Sequence, residues 1–263
     1  MTPCLCRAGR LGSALLSLAL LVACAADAVP ETRRSGFEFM GASTQALQRD
    51  DTQNPAMLWV QEGAALWDGK AGRSGASCAD CHGPAASSMR GVAARYPAFD
   101  ATTQAPIDLG QRINQCRQSR QQAGALAPDS QPLLSLASFV AIQSRGMPVA
   151  PPADPRLAPY LERGAQLFSQ RLGQLDLSCA HCHAQRAGLR LGSSLVPQAH
   201  ATGYPIYRLE WQGMGSLQRR IRNCLTGVRA EPYAYGAPEM VALELFLADR
   251  ARGLPVETPA VRP

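Results

Sequence analysis

The chain is predicted to be all-α, a tandem pair of small helical domains. Three observations predict this: an internal repeat, apolar residues spaced at the helical period through most of each copy, and alternating strand patterns that are weak throughout. Gly63-Ala64-Ala65-Leu66-Trp67 stands fifteen residues before Cys78, and Gly164-Ala165-Gln166-Leu167-Phe168 stands fifteen before Cys179. Tyr96-Pro97-Ala98-Phe99 matches Tyr204-Pro205-Ile206-Tyr207, and Arg112, Ile113 and Cys116 match Arg220, Ile221 and Cys224. Arg145-Gly146-Met147-Pro148-Val149 matches Arg252-Gly253-Leu254-Pro255-Val256 and closes each copy.

Taken in order, residues 1–28 carry Arg7 and Arg10, an apolar run from Leu11 to Ala23, and small residues ending in Ala26-Asp27-Ala28. That is the pattern of an export signal, too short to span a bilayer, and it implies a periplasmic product. Leu21-Val22-Ala23-Cys24 also spells a lipoprotein cleavage box, so lipidation of Cys24 stands beside cleavage near Ala28 as the lesser reading. Residues 29–50 form a polar lead-in, 51–150 the first domain and 151–263 the second. The Pro-rich stretch from Ala150 to Pro155 joins the two. Helices are expected over 56–67 and 157–169, leading into the Cys pairs. Others are expected over 109–119 and 217–225, carrying a single Cys each, and over 133–142 and 239–248, with Pro238 at a first helical position and Gly253 past the end.

Of the 26 cationic residues only Lys70 is lysine, and the arginines are scattered without interleaved aromatics. The formal charge of +6 therefore gives no reason to expect nucleic acid as a partner. No stretch after the export signal is apolar for long enough to span a membrane.

Cys78-Ala79-Asp80-Cys81-His82 and Cys179-Ala180-His181-Cys182-His183 are C-x-x-C-H sequences. Two thiols on one helical turn can add to the two vinyl groups of a haem, and the adjacent His then reaches the iron. Two covalently bound haem c groups are therefore expected, on Cys78 and Cys81 with His82, and on Cys179 and Cys182 with His183. A zinc site or a redox disulfide is the competing reading, weakened because neither motif has a second ligand pair or a βαβ setting. His181 lies inside its own motif, so His200 is the one His left over and two bis-His haems are impossible. No Met recurs at equivalent positions, whereas Cys116 and Cys224 do. The duplication thus nominates Cys116 for the iron of the first haem and Cys224 for the second, with low potentials expected from thiolate ligation. A Cys116–Cys224 disulfide, or two buried thiols, remains the alternative.

Arg220 lies one helical turn before Cys224, where it can lower the thiol pKa and offer a fork to an oxyanion. Arg112 stands in the same relation to Cys116. Arg222 and Arg229 add cations near Cys224 alone, which marks the second site as the reactive one, although each singly reads as a solvated surface residue.

Together with Val228-Arg229-Ala230-Glu231-Pro232-Tyr233-Ala234 and Pro238-Glu239-Met240-Val241-Ala242-Leu243-Glu244, these motifs resemble the SoxA family, the dihaem subunits of the SoxAX cytochromes of sulfur-oxidising bacteria. The resemblance covers about residues 50–256 and implies a tandem pair of cytochrome c-like domains. It further implies that Cys224 ligates the second haem as a persulfide, that Arg220 binds substrate, and that Cys116 ligates the first haem. The implied activity is L-cysteine S-thiosulfotransferase, coupling thiosulfate oxidatively to a cysteine of the SoxYZ carrier beside a small SoxX-type cytochrome c subunit. The rival reading is a dihaem periplasmic electron-transfer cytochrome without chemistry at sulfur. A dihaem peroxidase fits less well, because it needs a vacant or labile iron.

Overall fold

The structure, a computed structural model, describes residues 32–263; the export signal and Cys24 lie outside the described residues. Most of the polar lead-in is folded. Ser35 and Glu38 close a capping box over a 3-10 turn at Gly36–Phe39, and α1 (Ala42–Arg49) follows.

The first repeat then runs α2 (Met57–Asp68), α3 (Cys78–His82), α4 (Ala85–Ser88), strands β1 (Ala98–Asp100) and β2 (Ala105–Ile107), α5 (Leu109–Cys116) and α6 (Gln131–Ile142). The second runs α7 (Ala158–Ser169), α8 (Cys179–His183), β3 (Arg190–Leu191), β4 (Ser194–Leu195), β5 (Ile206–Arg208), β6 (Gly213–Gly215), α9 (Leu217–Gly227) and α10 (Pro238–Arg250), with β7 (Ala260–Arg262) last. β1 pairs with β2, β3 with β4 and β5 with β6, all antiparallel, while β7 joins β5 in parallel. The helical class holds. The strands escape a sequence reading because two or three residues are too few to show a period of two. β7 is covered by α1, where Val261 donates its N–H to Gln48 at 3.0 Å.

One glycine per repeat sets the main helix crossing. A Cβ on Gly63 of α2 would lie 2.1 Å from the Ser135 carbonyl oxygen and 2.7 Å from Phe139 Cβ of α6. A Cβ on Gly164 of α7 would lie 2.2 Å from the Ala242 carbonyl oxygen and 2.6 Å from Phe246 Cβ of α10. The repeated Gly-Ala is thus the close-contact point of two equivalent helix pairs. Around each crossing the apolar stripes bury a core: Trp67, Met89, Leu136 and Val140 in the first repeat, and Leu167, Phe168, Leu225, Met240 and Leu243 in the second.

The repeats also meet each other, with residues 33–263 gathering into one unit. The matching segments 145–149 and 252–256 pair antiparallel through four backbone bonds of 2.8 Å: Gly146 to Val256, Val256 to Met147, Val149 to Leu254 and Gly253 to Val149. The exchange is reciprocal elsewhere, since α6 packs against β6 and α10 against β2. Between them the Gln218 amide donates to Asp108 at 2.9 Å and to Glu244 at 3.3 Å. Burial and the neighbouring Asp108 push the Glu244 carboxyl well above its ordinary range. Among the described residues no helix is long and apolar enough to cross a membrane.

The helix carrying Cys116 departs from the expected 109–119. It stops at Cys116 and continues as a π-helical turn over Arg117–Gln121. The left-handed Gln122 follows Cys116 by six positions, whereas the left-handed Arg229 follows Cys224 by five. The wider turn absorbs the extra residue without shifting the Cys relative to the loop beyond.

Candidate functional site

The loop leading into each C-x-x-C-H helix is stapled to the far end of the helix that carries the single Cys of its repeat. In the second repeat Gln174 and Leu175 donate to the carbonyls of Arg229 and Val228, both at 3.3 Å. In the first, Arg73 donates to Gln122 at 3.4 Å and Ser74 to Gln121 at 3.2 Å. Gly72 and Gly173, at φ +64 and +70, allow this contact, because a Cβ on either would fall 2.1 Å from the partner carbonyl. Serine caps start both motif helices. Ser77 N–H donates to Asp80 at 2.8 Å, and Ser178 N–H donates to His181 Nδ1 at 3.0 Å. His181 therefore takes the place of Asp80 as a capping partner.

In the second repeat the His183 Nδ1 lies 2.7 Å from the Pro197 carbonyl oxygen. A carbonyl can only accept, so Nδ1 carries the proton and Nε2 keeps a lone pair. The Cys224 thiol lies close to this same imidazole. Burial alone would raise the Cys224 pKa, but the neighbouring His183 and the charges of Arg220 and Arg208 outweigh it and bring the thiol below its ordinary value. Cys179 is pushed up to about 11 by burial and by the adjacent Cys224. An imidazole oriented by a carbonyl, facing a sulfur donor across from two thiols on one helical turn, fits a covalently held haem c. The first repeat repeats the elements with different packing. His82 lies against Trp67, ring centroids 5.7 Å apart, while burial raises the Cys78 pKa and Cys116 stands close enough to add to that shift. Cys116 and Cys224 are both free thiols, each beside its own motif, so they are not joined as a disulfide.

The charged groups around the two single Cys residues differ. Arg112 donates to Asp100 at 2.9 Å and to Gln115 at 2.8 Å, a neutralised pair. Arg220 has no such partner, because the last residue of β5 is Arg208 where the last residue of β1 is Asp100. Burial and the charge of Arg220 pull the Arg208 pKa below its ordinary value. One carboxylate serves both arginines: Glu210 Oε1 lies 2.7 Å from Arg208 Nε and 4.0 Å from Arg220 Nη1. Arg208 was not singled out from sequence, although its signal was there, four residues after the repeated Tyr in both copies. Arg222 is not a free surface cation. It donates to the Tyr233 carbonyl and lies 4.8 Å from the Tyr235 ring centroid. Arg229 is exposed and contributes its carbonyl to the staple. His200 is buried, with Nδ1 2.7 Å from the Arg34 carbonyl oxygen.

Asp100 supplies a test of this contrast. Burial would raise its carboxyl, but bonds from Thr103, Gln115 and Arg112 outweigh that and lower it from 3.8 to about 2. A depressed folded pKa stabilises above the unfolded value, so the contribution is complete above about pH 4 and is lost as pH falls through about 2. Asp100→Asn is expected to cost about 1–3 kcal/mol at pH 7 and progressively less toward pH 2, as read by denaturant melts across that range. A cost independent of pH would show that the charge is not what Arg112 needs.

The family model for the SoxA/TsdA cytochrome c domain matches residues 62–149 and again 163–256. The L-cysteine S-thiosulfotransferase subunit SoxA of Rhodovulum sulfidophilum is 39% identical over 232 residues, covering 87% of this chain and 80% of that relative. The subunit of the same name from Paracoccus pantotrophus is 38% identical over 233 residues, covering 88% and 80%. The crystal structure of SoxXA from P. pantotrophus superposes with a TM-score of 0.85 at 37% identity, over 88% of this chain and 87% of that one.

Proposed function

The chain belongs to the SoxA family, and from that premise we propose that it is the haem-binding subunit of an L-cysteine S-thiosulfotransferase. It couples thiosulfate to a cysteine of a SoxYZ-type carrier. An S–S bond forms between the carrier sulfur and the outer sulfur of thiosulfate, the thiol proton is released, and two electrons are withdrawn. Its partner is a SoxX-type small cytochrome c, and the complex works in the periplasm after export directed by residues 1–28.

Cys78 and Cys81 would hold the first haem c, with His82 and Cys116 as ligands to its iron. Cys179 and Cys182 would hold the second, with His183 and Cys224. Bound haem c supplies an acceptor for electrons and an iron to which these donors are ligands. The remaining chemistry belongs to the chain. The Pro197 carbonyl fixes His183 in one tautomer. Cys224 presents a sulfur nucleophile that the charges of Arg220 and Arg208 hold toward its anionic form. Arg220, one turn back on α9, meets the oxygens of the incoming anion.

The observation that carries this reading is the Cys224 sulfur facing His183 with guanidinium charge beside it that no carboxylate of its own neutralises. An electron carrier without sulfur chemistry has no use for that charge, and the first repeat cancels its own with Asp100.

The test is turnover of the haem-loaded complex with thiosulfate and carrier, read by mass spectrometry as a thiosulfate adduct on the carrier cysteine. Arg220→Ala is expected to raise the KM for thiosulfate about 10- to 100-fold, the range for losing a charge-assisted bond, with the haem spectrum little changed. Unchanged kinetics would remove Arg220 from the site.

A further inference from the structure

Arg208 stands where the first repeat carries a carboxylate that neutralises its arginine. The exchange of Asp100 for Arg208 turns an ion pair into a second cation at the same end of the same strand. Its side chain is 14% exposed and lies against Trp211, with the guanidinium carbon 5.2 Å from the ring centroid. Desolvated, fixed charge of this kind costs stability unless an anion compensates it. The resident anion is Glu210, 49% exposed on the turn after β5 and shared unequally between two guanidiniums.

We propose that Arg208 and Arg220 form a two-guanidinium cradle for the sulfonate end of thiosulfate beside Cys224, and that the Glu210 carboxylate fills this cradle until substrate displaces it. The proposal deepens the transferase reading and rests on it. Two forks match a doubly charged tetrahedral oxoanion, whereas one carboxylate leaves a charge uncompensated. A half-exposed ion pair is worth little, so Glu210 is cheap to displace, and its half-exposed side chain can turn toward solvent. Arg220 and Cys224 share α9 one turn apart, so an anion held by these arginines is held beside the reacting sulfur. Positioning and charge neutralisation are then provided by residues sixteen and four positions before the reacting Cys.

The experiment uses the haem-loaded complex and reads two quantities, thiosulfate affinity by titration calorimetry without carrier, and KM and kcat with carrier. Arg208→Asp restores the charge pattern of the first repeat and ties up Arg220. It is expected to weaken thiosulfate binding and raise KM by about 100-fold with a smaller change in kcat. Arg208→Gln removes the cation without adding an anion and is expected to give about a 10-fold effect of the same kind. Glu210→Gln is expected to act in the opposite sense, tightening binding and lowering KM about 3- to 10-fold, because the internal competitor loses its charge. Wild-type affinity in both Arg208 variants, or weaker binding in Glu210→Gln, would overturn the cradle. Because affinity is measured without turnover, a wild-type complex that binds thiosulfate in an Arg208-dependent way yet forms no carrier adduct would sink the transferase reading and leave the cradle standing.

Discussion

Cys224→Met is expected to abolish adduct formation on the carrier, a loss of at least about 10³-fold, while both haem groups remain attached. The thioether keeps a sulfur near His183 but cannot ionise or carry a further sulfur atom. What activates the thiol in the native protein acts on its charge: the cations Arg220 and Arg208. Removing the ionisable group therefore removes the reason for the surrounding arrangement. In the proposed site covalent attachment of this haem rests on Cys179 and Cys182, which the substitution does not touch. The check is parallel, with carrier adducts counted by mass spectrometry and haem counted by pyridine haemochrome. Wild-type turnover in the variant would place the reacting sulfur elsewhere. The same substitution at Cys116 is expected to alter the spectrum of the first haem and to leave a larger share of turnover, since Arg112 there is already paired with Asp100.

Gly164→Ala is expected to be the most destabilising single methyl group in the second repeat. The added carbon would sit 2.2 Å from a backbone oxygen of α10, which cannot rotate away, so α7 and α10 must separate along their whole contact. Overpacking of this severity costs about 3 kcal/mol, a fall in Tm of roughly 6–12 °C for a domain of this size. Gly63→Ala should behave alike, with 2.1 Å to the Ser135 oxygen. Gly41→Ala, where nothing lies within 4 Å, is the control and should stay within about 0.5 kcal/mol. Differential scanning calorimetry of the three variants settles the matter, and equal Tm values for Gly164→Ala and Gly41→Ala would refute the crossing as described.

What could be read along the chain was whatever chemistry or packing writes at fixed spacing. Attachment of a haem requires two Cys and a His on one turn, and a buried helix face requires an apolar residue every three or four positions, so both motifs and the main helices are legible in the sequence alone. The duplication made the rest of that reading possible, because Cys116 and Cys224 stand out only when the copies are laid side by side. Other features depend on chain segments that meet only in space. The π-helical turn after Cys116 answers a loop that approaches from the C-x-x-C-H side. Arg222 looked like a surface cation until Tyr233 and Tyr235 folded over it, and the capping role of His181, which the sequence only placed inside its own motif, appears once Ser178 N–H is seen to donate to its Nδ1.

The sharpest case is the arginine pair. Residue types told that Arg220 could meet an anion, since one turn of helix fixes its distance from Cys224. Whether that charge was already spent was a question about β5, twelve residues earlier, and about which way its last side chain turned. Spacing along a helix is a local property and survives in one dimension. Charge compensation is a property of neighbours in three, and only the packed chain reveals that Asp100 silences one arginine while Arg208 leaves the other in want of an anion.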